Sequence, residues 1–172
     1  MVALGQSSHA EYSLLSELDV KVRKIPDNVT YETAAALALQ GLTAITLVEK
    51  AYEVKIGDVI LVHAVAGGVG SLLAQLIHDK GAIVIGTTSS KEKAEFAKKN
   101  GADYVINYKE ENILERVLEI TKGEGVHAVL DSVGGSGFED SIKAVRYNGI
   151  VISYGSAGGP AAPVSSIVVF FS

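Results

Sequence analysis

Five short runs of Val, Ile and Leu alternate with amphipathic segments from Asp58 onward, and this alternation constrains the fold more than any other feature. Compact β-branched runs predict buried strands, and apolar residues recurring every three or four positions predict helices between them. The predicted strands are 59–62, 83–85, 104–106, 126–130 and 150–152. Because these strands are apolar on both faces, the sheet must be covered on both sides by crossover helices. The sequence therefore predicts a doubly wound α/β domain with a mostly parallel sheet.

The helices between and before these strands follow from the same spacing. The predicted helices are 72–80, 91–100, 113–118 and 138–145, preceded by two more, 30–39 and 42–50, that meet near Gly41. Upstream, Ala10–Val22 alternates loosely and is typical of an edge strand or a connecting arm. At the other end, the apolar run 165–171 is either a natural terminal strand or the sign of a cut chain, and the sequence leaves both open.

A glycine-rich loop joins the first strand to the first helix of the alternating series. Ala64, Gly67 and Gly70 are three residues apart, which matches the dinucleotide-binding fingerprint with Ala in the first place. Such a loop allows a tight turn and close approach of the backbone to a pyrophosphate, and the helix that follows offers free N–H groups. We predict a Rossmann-type nucleotide site here, the alternative being a tight packing turn without a ligand.

The residues after the second strand indicate which dinucleotide would bind. NAD-selecting domains usually place Asp or Glu at this point to hold the ribose 2′-hydroxyl, but the residues at 86–90 are Gly, Thr, Thr, Ser and Ser. Lys93 follows, with Ser89 and Ala97 rather than an acid four residues away on either side. This environment favours a 2′-phosphate and hence NADPH. A solvated start of a helix is the alternative interpretation.

Charge and composition exclude several other classes. The net charge is −5 without a basic block, so we expect no nucleic-acid partner. The chain has no Cys, which excludes disulfides, thiolate metal sites and a Cys nucleophile. No secretory signal is visible, and the apolar run Ala34–Val48 is short of the ~20 residues that a membrane span needs. We therefore expect a cytoplasmic protein with no metal site and no membrane partner.

Several motifs together resemble one known family. They are the runs 61–70 (Leu-Val-His-Ala-Val-Ala-Gly-Gly-Val-Gly), 41–44, 100–103, 105–108 and 131–134. These motifs, and their order along the chain, are similar to those of the zinc-independent quinone oxidoreductases, the zeta-crystallin-like branch of the medium-chain dehydrogenase/reductase superfamily. The resemblance runs from about Gly5 to the end of the chain. It implies an enzyme that uses NADPH, without a metal, to reduce quinones or other activated enones.

The same resemblance implies roles for particular residues. It places a nicotinamide contact at Thr43, the pyrophosphate over Gly67, Gly68, Val69 and Gly70, the 2′-phosphate at Ser89 and Lys93, the adenosine at Tyr108, and the nicotinamide pocket at Tyr154, Gly155 and Ser156. Plainer interpretations remain open, since Thr43 could bond its own helix backbone and Tyr108 could be a surface aromatic. His63 fits a buried strand residue better than an acid or base, and no catalytic residue is predicted.

The chain also departs from the family pattern. Residues 1–25 match only the exit segment of a β-rich substrate domain, and 26–172 would be the NADPH-binding Rossmann domain without its last strand. The family pairs subunits through that strand, so the full-length protein is expected to be a homodimer. The isolated piece should bind cofactor but turn over poorly.

Other classes of protein with a nucleotide-binding loop require particular residues elsewhere in the sequence. A short-chain dehydrogenase is disfavoured because no Tyr has Lys four positions on, and a zinc alcohol dehydrogenase because Cys ligands are missing. A methyltransferase would usually carry an acid after the second strand. A non-catalytic nucleotide-sensing module stays open.

Overall fold

The structure is a computed structural model that describes residues 11–12, 22–161 and 163. By contacts the chain divides into two compact units, Met1–Thr43 and Ala44–Ser172. Most of the expected arm at 10–22 and all of the apolar run 165–171 lie outside the described residues. The assignment of residues 1–25 to a preceding domain stays a prediction.

The first long helix is continuous where two helices were predicted. α1 (Tyr31–Thr46) passes through Gly41 without a break and runs into a π-helical turn, Leu47–Ala51. At its start, Thr30 Oγ1 accepts the N–H of Thr33 at 3.2 Å, a bond typical of a helix N-cap. The prediction of a break near Gly41 was wrong, because a single glycine inside a helix costs only about 1 kcal/mol relative to Ala.

The same helical stretch is longer than the sequence suggested. Tyr31–Ala51 is 21 residues with a mean hydropathy of 1.2, which by length and composition alone would suffice to cross a membrane. Core helices of soluble proteins pass the same test, so this property by itself is weak evidence for a span. The expectation that the apolar run is too short is corrected. Several large apolar side chains of this stretch are exposed: Tyr31, Leu37, Leu39, Leu42 and Ile45.

The second unit contains a five-stranded parallel sheet in the order β3-β2-β1-β4-β5. The strands are β1 (Val59–Val62), β2 (Ile83–Thr88), β3 (Tyr104–Asn107), β4 (Val126–Asp131) and β5 (Val145–Ser153). The helices between them are α2 (Gly68–Asp79), α3 (Lys91–Lys99), α4 (Ile113–Ile120) and α5 (Phe138–Lys143). The predicted doubly wound α/β fold is confirmed.

The beginning of β5 is where the sequence pattern misled. Val145 was predicted to end the fourth helix, but α5 ends at Lys143 and Val145 pairs with Val126 in the sheet. The register then shifts, so that Ala128 pairs with Ile150, and residues 146–149 form a bulge on β5. We call these four residues the β5 bulge. Asn148 in the bulge has a positive φ of 60°.

Successive residues of each strand pack on opposite sides of the sheet. Ile60 and Val62 join the cluster with α2 and α3, whereas Leu61 joins the cluster with α4. Each fully buried Ile or Leu contributes about 1.5–3 kcal/mol of hydrophobic free energy. The two clusters explain why the strands carry no polar face.

The strand order fixes the place of a ligand. From β1 the chain moves outward through β2 and β3, then returns to the other side of β1 for β4. In open α/β sheets the crevice at such a switch point, beyond the carboxyl ends of the strands, is where ligands bind. The loops after β1 and β4 flank that crevice here.

Candidate nucleotide-binding site

A cavity of about 650 Å³ lies at the carboxyl ends of the strands, within the size range of small-molecule sites. Its lining comprises His63, Ala64, Ala66 and Gly67 after β1, Thr87, Thr88, Ser89 and Lys93 around the end of β2, Tyr108 and Ile113, and Asp131, Val133, Gly134, Gly135, Ser136, Gly137, Asp140 and Gly158. Of the residues predicted to bind cofactor, Gly67, Ser89, Lys93 and Tyr108 are brought together here. The other predicted residues do not line this cavity.

The loop after β1, residues 63–67, is fixed by backbone bonds to both neighbouring strands. His63 N–H donates to the Leu130 carbonyl at 3.1 Å, and Val65 N–H donates to the Thr87 carbonyl at 3.1 Å. Gly67 N–H closes a turn onto the Ala64 carbonyl at 2.8 Å. The turn places Ala64 at a φ of 51°, a left-handed conformation that the fingerprint usually gives to glycine.

α2 begins directly after this loop with its N-terminal donors uncapped by a side chain. Gly67 is the N-cap residue and offers no side-chain acceptor. A Cβ on Gly70 would lie 2.3 Å from the Ala64 carbonyl oxygen, so only glycine allows the helix to pack this closely on the loop. Gly68, Val69 and Gly70 form the first turn of α2, and this turn offers N–H groups and the positive dipole end to an anion.

The polar side of the cavity lies at the start of α3. Ser90 caps this helix, its Oγ accepting the N–H of Lys93 at 3.3 Å. Ser89 is half-buried beside it, whereas Lys93 and Tyr108 are exposed. Among the described residues Lys93 takes part in no ion pair. A hydroxyl and an ammonium group are thus available at the place where the sequence predicts a phosphate.

The loop after β4 is built around the buried carboxylate of Asp131, which is 2% exposed. Its Oδ1 accepts the N–H groups of Val133 at 2.7 Å and Gly134 at 2.9 Å. Its Oδ2 accepts the hydroxyl of Ser141 at 2.9 Å. The carboxylate therefore holds the turn after β4, residues 132–134, against α5.

The predicted nicotinamide-side segment runs beside that turn. Tyr154 N–H donates to the Asp131 carbonyl at 2.8 Å, and Gly158 N–H donates to the Val133 carbonyl at 2.7 Å. A Cβ on Gly155 would lie 2.8 Å from the Ser132 carbonyl oxygen. Burial raises the pKa of the Tyr154 hydroxyl. Tyr154, Gly155 and the exposed Ser156 thus lie next to the loop that lines the cavity, without being part of its lining.

Thr43 lies in α1 and belongs to the first compact unit. Its hydroxyl donates to the Leu39 carbonyl at 2.8 Å, which is the backbone bond considered as the plainer interpretation of this residue. Its role toward a nicotinamide stays a prediction.

Sequence reasoning missed a set of buried, hydrogen-bonded polar residues at the wall of the cavity. His63 is 7% exposed, so the predicted burial is found, but it lies in the loop just after β1 and not in the strand, and both of its ring nitrogens have hydrogen-bond partners. Burial lowers the pKa of His63, and the nearby Asp131 carboxylate opposes this shift. The partners are Thr87 and Ser141, the latter 78 positions away in the sequence. A contact between residues so far apart in the sequence could not have been predicted from a local pattern.

A metal centre was not expected, and within the described ranges there is no group of three or more His, Asp or Glu side chains placed to hold an ion. The cavity lining offers backbone N–H groups, hydroxyls and the ammonium group of Lys93, together with the imidazole of His63 and the carboxylates of Asp131 and Asp140.

A glycine turn between a buried strand and a helix, at the switch point of a parallel sheet, defines a dinucleotide-binding α/β domain. The family comparison gives the same class. A model described as zinc-binding dehydrogenase matches residues 68–171, and the chain belongs to that family.

The most informative relatives are oxidoreductases. The chain is 43% identical to a quinone oxidoreductase of Salmonella typhimurium, covering 95% of this chain and 50% of the relative. It is 40% identical to a 2-haloacrylate reductase of a Burkholderia species, covering 84% and 44%. A solved Escherichia coli quinone oxidoreductase, complexed with NADPH, superimposes with a TM-score of 0.83 at 39% identity, covering 88% and 46%. The resemblance to quinone oxidoreductases is confirmed, and the chain spans about half the length of these relatives.

Proposed function

We propose that this chain is the NADPH-binding part of a zinc-independent oxidoreductase that reduces quinones or other activated enones. The observation that carries the proposal is the joint placement of Ser89 and Lys93 in the cavity beside the loop before α2. NADPH differs from NADH by a 2′-phosphate, and a hydroxyl and an ammonium group that line the same cavity suit that phosphate. The relative solved with NADPH supports the same cofactor.

The donors present fit a dinucleotide. The uncapped N–H groups at Gly68, Val69 and Gly70 would hold the pyrophosphate, and Ser89 with Lys93 would hold the 2′-phosphate. Tyr108 on the cavity wall would contact the adenosine. When bound, NADPH supplies a hydride.

The nicotinamide end is assigned to the segment after β5. Tyr154, Gly155 and Ser156 follow β5 at the switch-point end of the sheet, and the bonds from Tyr154 N–H to the Asp131 carbonyl and from Ala157 N–H to the Ser132 carbonyl fix both ends of this segment. Thr43 is proposed as a further nicotinamide contact on the strength of the family resemblance. Both assignments concern orientation of the reduced ring and not proton transfer.

The substrate class rests on the names of the relatives. A quinone and a 2-haloacrylate both carry a carbon–carbon double bond conjugated to an electron-withdrawing group. We propose a small molecule of this kind as the substrate of the whole protein. A homodimeric, cytoplasmic full-length enzyme without a metal is proposed with it.

The test is a calorimetric titration of the chain with NADPH and with NADH. The wild type should bind NADPH at least tenfold more tightly, since charge-assisted bonds to the 2′-phosphate are worth about 1.5–3 kcal/mol. Lys93→Glu should remove this preference while leaving NADH binding nearly unchanged. Lys99→Glu, a charge reversal at the other end of α3, is the matched control and should keep the preference.

A second variant tests the pyrophosphate assignment separately. Gly68→Asp places a carboxylate at the start of α2 and should abolish binding of both nucleotides by charge repulsion. Unchanged affinity in this variant would refute the phosphate-loop assignment, and equal affinity of the wild type for the two nucleotides would refute the NADPH assignment.

A further inference from the structure

A continuous chain of buried hydrogen bonds links three strand ends and α5 at the wall of the cavity. Thr87 Oγ1 lies 3.3 Å from the Ala64 amide nitrogen and 3.1 Å from His63 Nδ1. His63 Nε2 lies 3.0 Å from Ser141 Oγ, which lies 2.9 Å from Asp131 Oδ2. Thr87, His63, Ser141 and Asp131 are all less than one-tenth exposed. We refer to these four side chains as the polar relay.

The hydrogen positions in the polar relay follow from its carboxylate end. Asp131 accepts at both oxygens, so the single proton of the Ser141 hydroxyl points to Oδ2. Ser141 Oγ must then accept from His63, which requires a proton on Nε2. A neutral imidazole protonated at Nε2 has a bare Nδ1, so Thr87 donates to it and accepts the Ala64 N–H. Every donor in the chain is thus matched to one acceptor.

Both ends of the polar relay act on loops that line the cavity. At one end Thr87 fixes the amide of Ala64, the residue whose left-handed backbone starts the loop before α2. At the other end Asp131 fixes the amides of Val133 and Gly134 in the turn after β4. Truncation of His63 or Ser141 would leave a buried donor or acceptor without a hydrogen-bond partner. The two loops would then no longer be held in position by one connected set of hydrogen bonds.

We propose that Thr87, His63 and Ser141 are positioning residues that hold the loop before α2 and the turn after β4 in the arrangement that binds the dinucleotide, with His63 kept as the Nε2–H tautomer. This inference rests on the proposed function for its ligand. Thr87 and His63 line the cavity and Ser141 does not, and the role proposed for all three is exerted through Ala64 and Asp131.

The binding test uses substitutions at Thr87. Thr87→Val keeps the shape but removes the hydroxyl, and NADPH affinity should fall about five- to tenfold, as for loss of one buried hydrogen bond. Thr87→Ser keeps the hydroxyl and should restore affinity to within about twofold of the wild type. Thr121→Val is the matched control, since the Thr121 hydroxyl bonds the Val117 carbonyl and the Gly125 amide away from the cavity.

The Thr121 variant should lower the melting temperature without changing NADPH affinity. If Thr87→Val binds NADPH as the wild type does, or if Thr121→Val weakens binding as much as Thr87→Val, the positioning role is wrong. A merely structural threonine would give that second result.

The tautomer is measured directly, on the wild-type chain labelled with ¹⁵N-histidine, by two-bond proton–nitrogen NMR correlation at neutral pH. The expected spectrum for His63 shows a protonated Nε2 and a bare Nδ1, and a protonated Nδ1 would overturn the hydrogen-bond directions. This measurement needs no nucleotide. Failure of the wild type to bind NADPH would instead refute the proposed function and the affinity role together, leaving the tautomer assignment to stand or fall by the spectrum.

Discussion

His127 and His63 are both held in the neutral form, but by different surroundings. The Nδ1 of His127 accepts the Val59 N–H at 3.0 Å, and its Nε2 lies 3.5 Å from Asp58 Oδ1. Partial burial and the nearby Arg146 lower the pKa of His127, whereas Asp58 and Glu124 oppose the shift. Burial alone lowers the pKa of His63. A proton added to either ring would displace a hydrogen bond that the folded chain uses.

The sign of the resulting pH dependence follows from these lowered pKa values. The unfolded chain, with histidine pKa values near 6.5, binds more protons at mildly acid pH than the folded chain does. The free energy of unfolding should therefore be constant above about pH 7 and should decrease as pH falls below the unfolded pKa of about 6.5 toward the lower folded pKa values, by at most about 1.4 kcal/mol per pH unit for each histidine.

Urea unfolding at pH 7.5, 6.5 and 5.5 measures this dependence. In His127→Gln the decrease should be smaller than in the wild type, because one of the two groups no longer titrates. A free energy of unfolding that rises as pH falls across this range would contradict the neutral state of both rings.

Lys93 shows what single residues can reveal from sequence. Lys93 follows a strand that has no acid at its end, and no acid lies four positions away from it on either side. These features could be recognised in the sequence, and in the structure Lys93 lines the cavity. The polar relay was not readable, since it joins His63 to residues 24 and 78 positions away. Such contacts depend on strand order, which local patterns do not encode.

At the scale of elements, the packing of α2 on the loop before it depends on one position. Gly70→Ala would place a Cβ 2.3 Å from the Ala64 carbonyl oxygen and 2.8 Å from Val65 Cα, both backbone atoms that cannot rotate away. We expect a loss of about 1–3 kcal/mol of stability, typical of overpacking, and weaker NADPH binding because the helix start must shift.

Thermal unfolding followed by circular dichroism checks this, with Gly41→Ala as the control. Gly41 also lies inside a helix, but its Cβ would meet nothing closer than Leu37 Cβ at 3.8 Å. That variant should stabilise the chain by about 0.5–1 kcal/mol, since Ala is the better helix former. Equal effects of the two substitutions would show that the close contact at Gly70 is not what constrains α2.

Most elements were predictable because the spacing of their apolar residues in the sequence matches the positions that are buried in the structure. The five strands and the helices α2 to α4 appear where β-branched runs and helical spacing placed them. Two errors share a cause. Gly41 was interpreted as the end of a helix, and Val145 was assigned to a helix because it continues the spacing of Phe138 and Ile142. In both places tertiary packing, and not the local sequence, determines the structure. Pairing with Val126 makes Val145 a strand residue whatever its local period.

At the scale of the whole molecule, the chain contains the candidate nucleotide site but spans only about half the length of its relatives. A domain that binds NADPH should be stabilised by it, by about 2.7 kcal/mol when the free nucleotide is at 100 times its Kd. For a chain of this size that corresponds to a melting temperature higher by roughly 5–10 °C.

Differential scanning fluorimetry with and without NADPH measures the shift. Gly68→Asp should show none, which separates binding at the loop before α2 from unspecific effects of the nucleotide. A wild-type melting temperature that does not respond to saturating NADPH would contradict the proposed NADPH site.

The β5 bulge lies at the end of the sheet opposite the cavity, since Val145 pairs with Val126 at the amino ends of the strands. Tyr147 within it is 83% exposed, and the strand resumes its pairing at Ile150. Added chain at such an exposed point is tolerated when both flanks stay hydrogen-bonded. The bulge is therefore a natural place to graft a reporter domain or attach a dye, so that nucleotide occupancy could be followed optically without disturbing the site being reported.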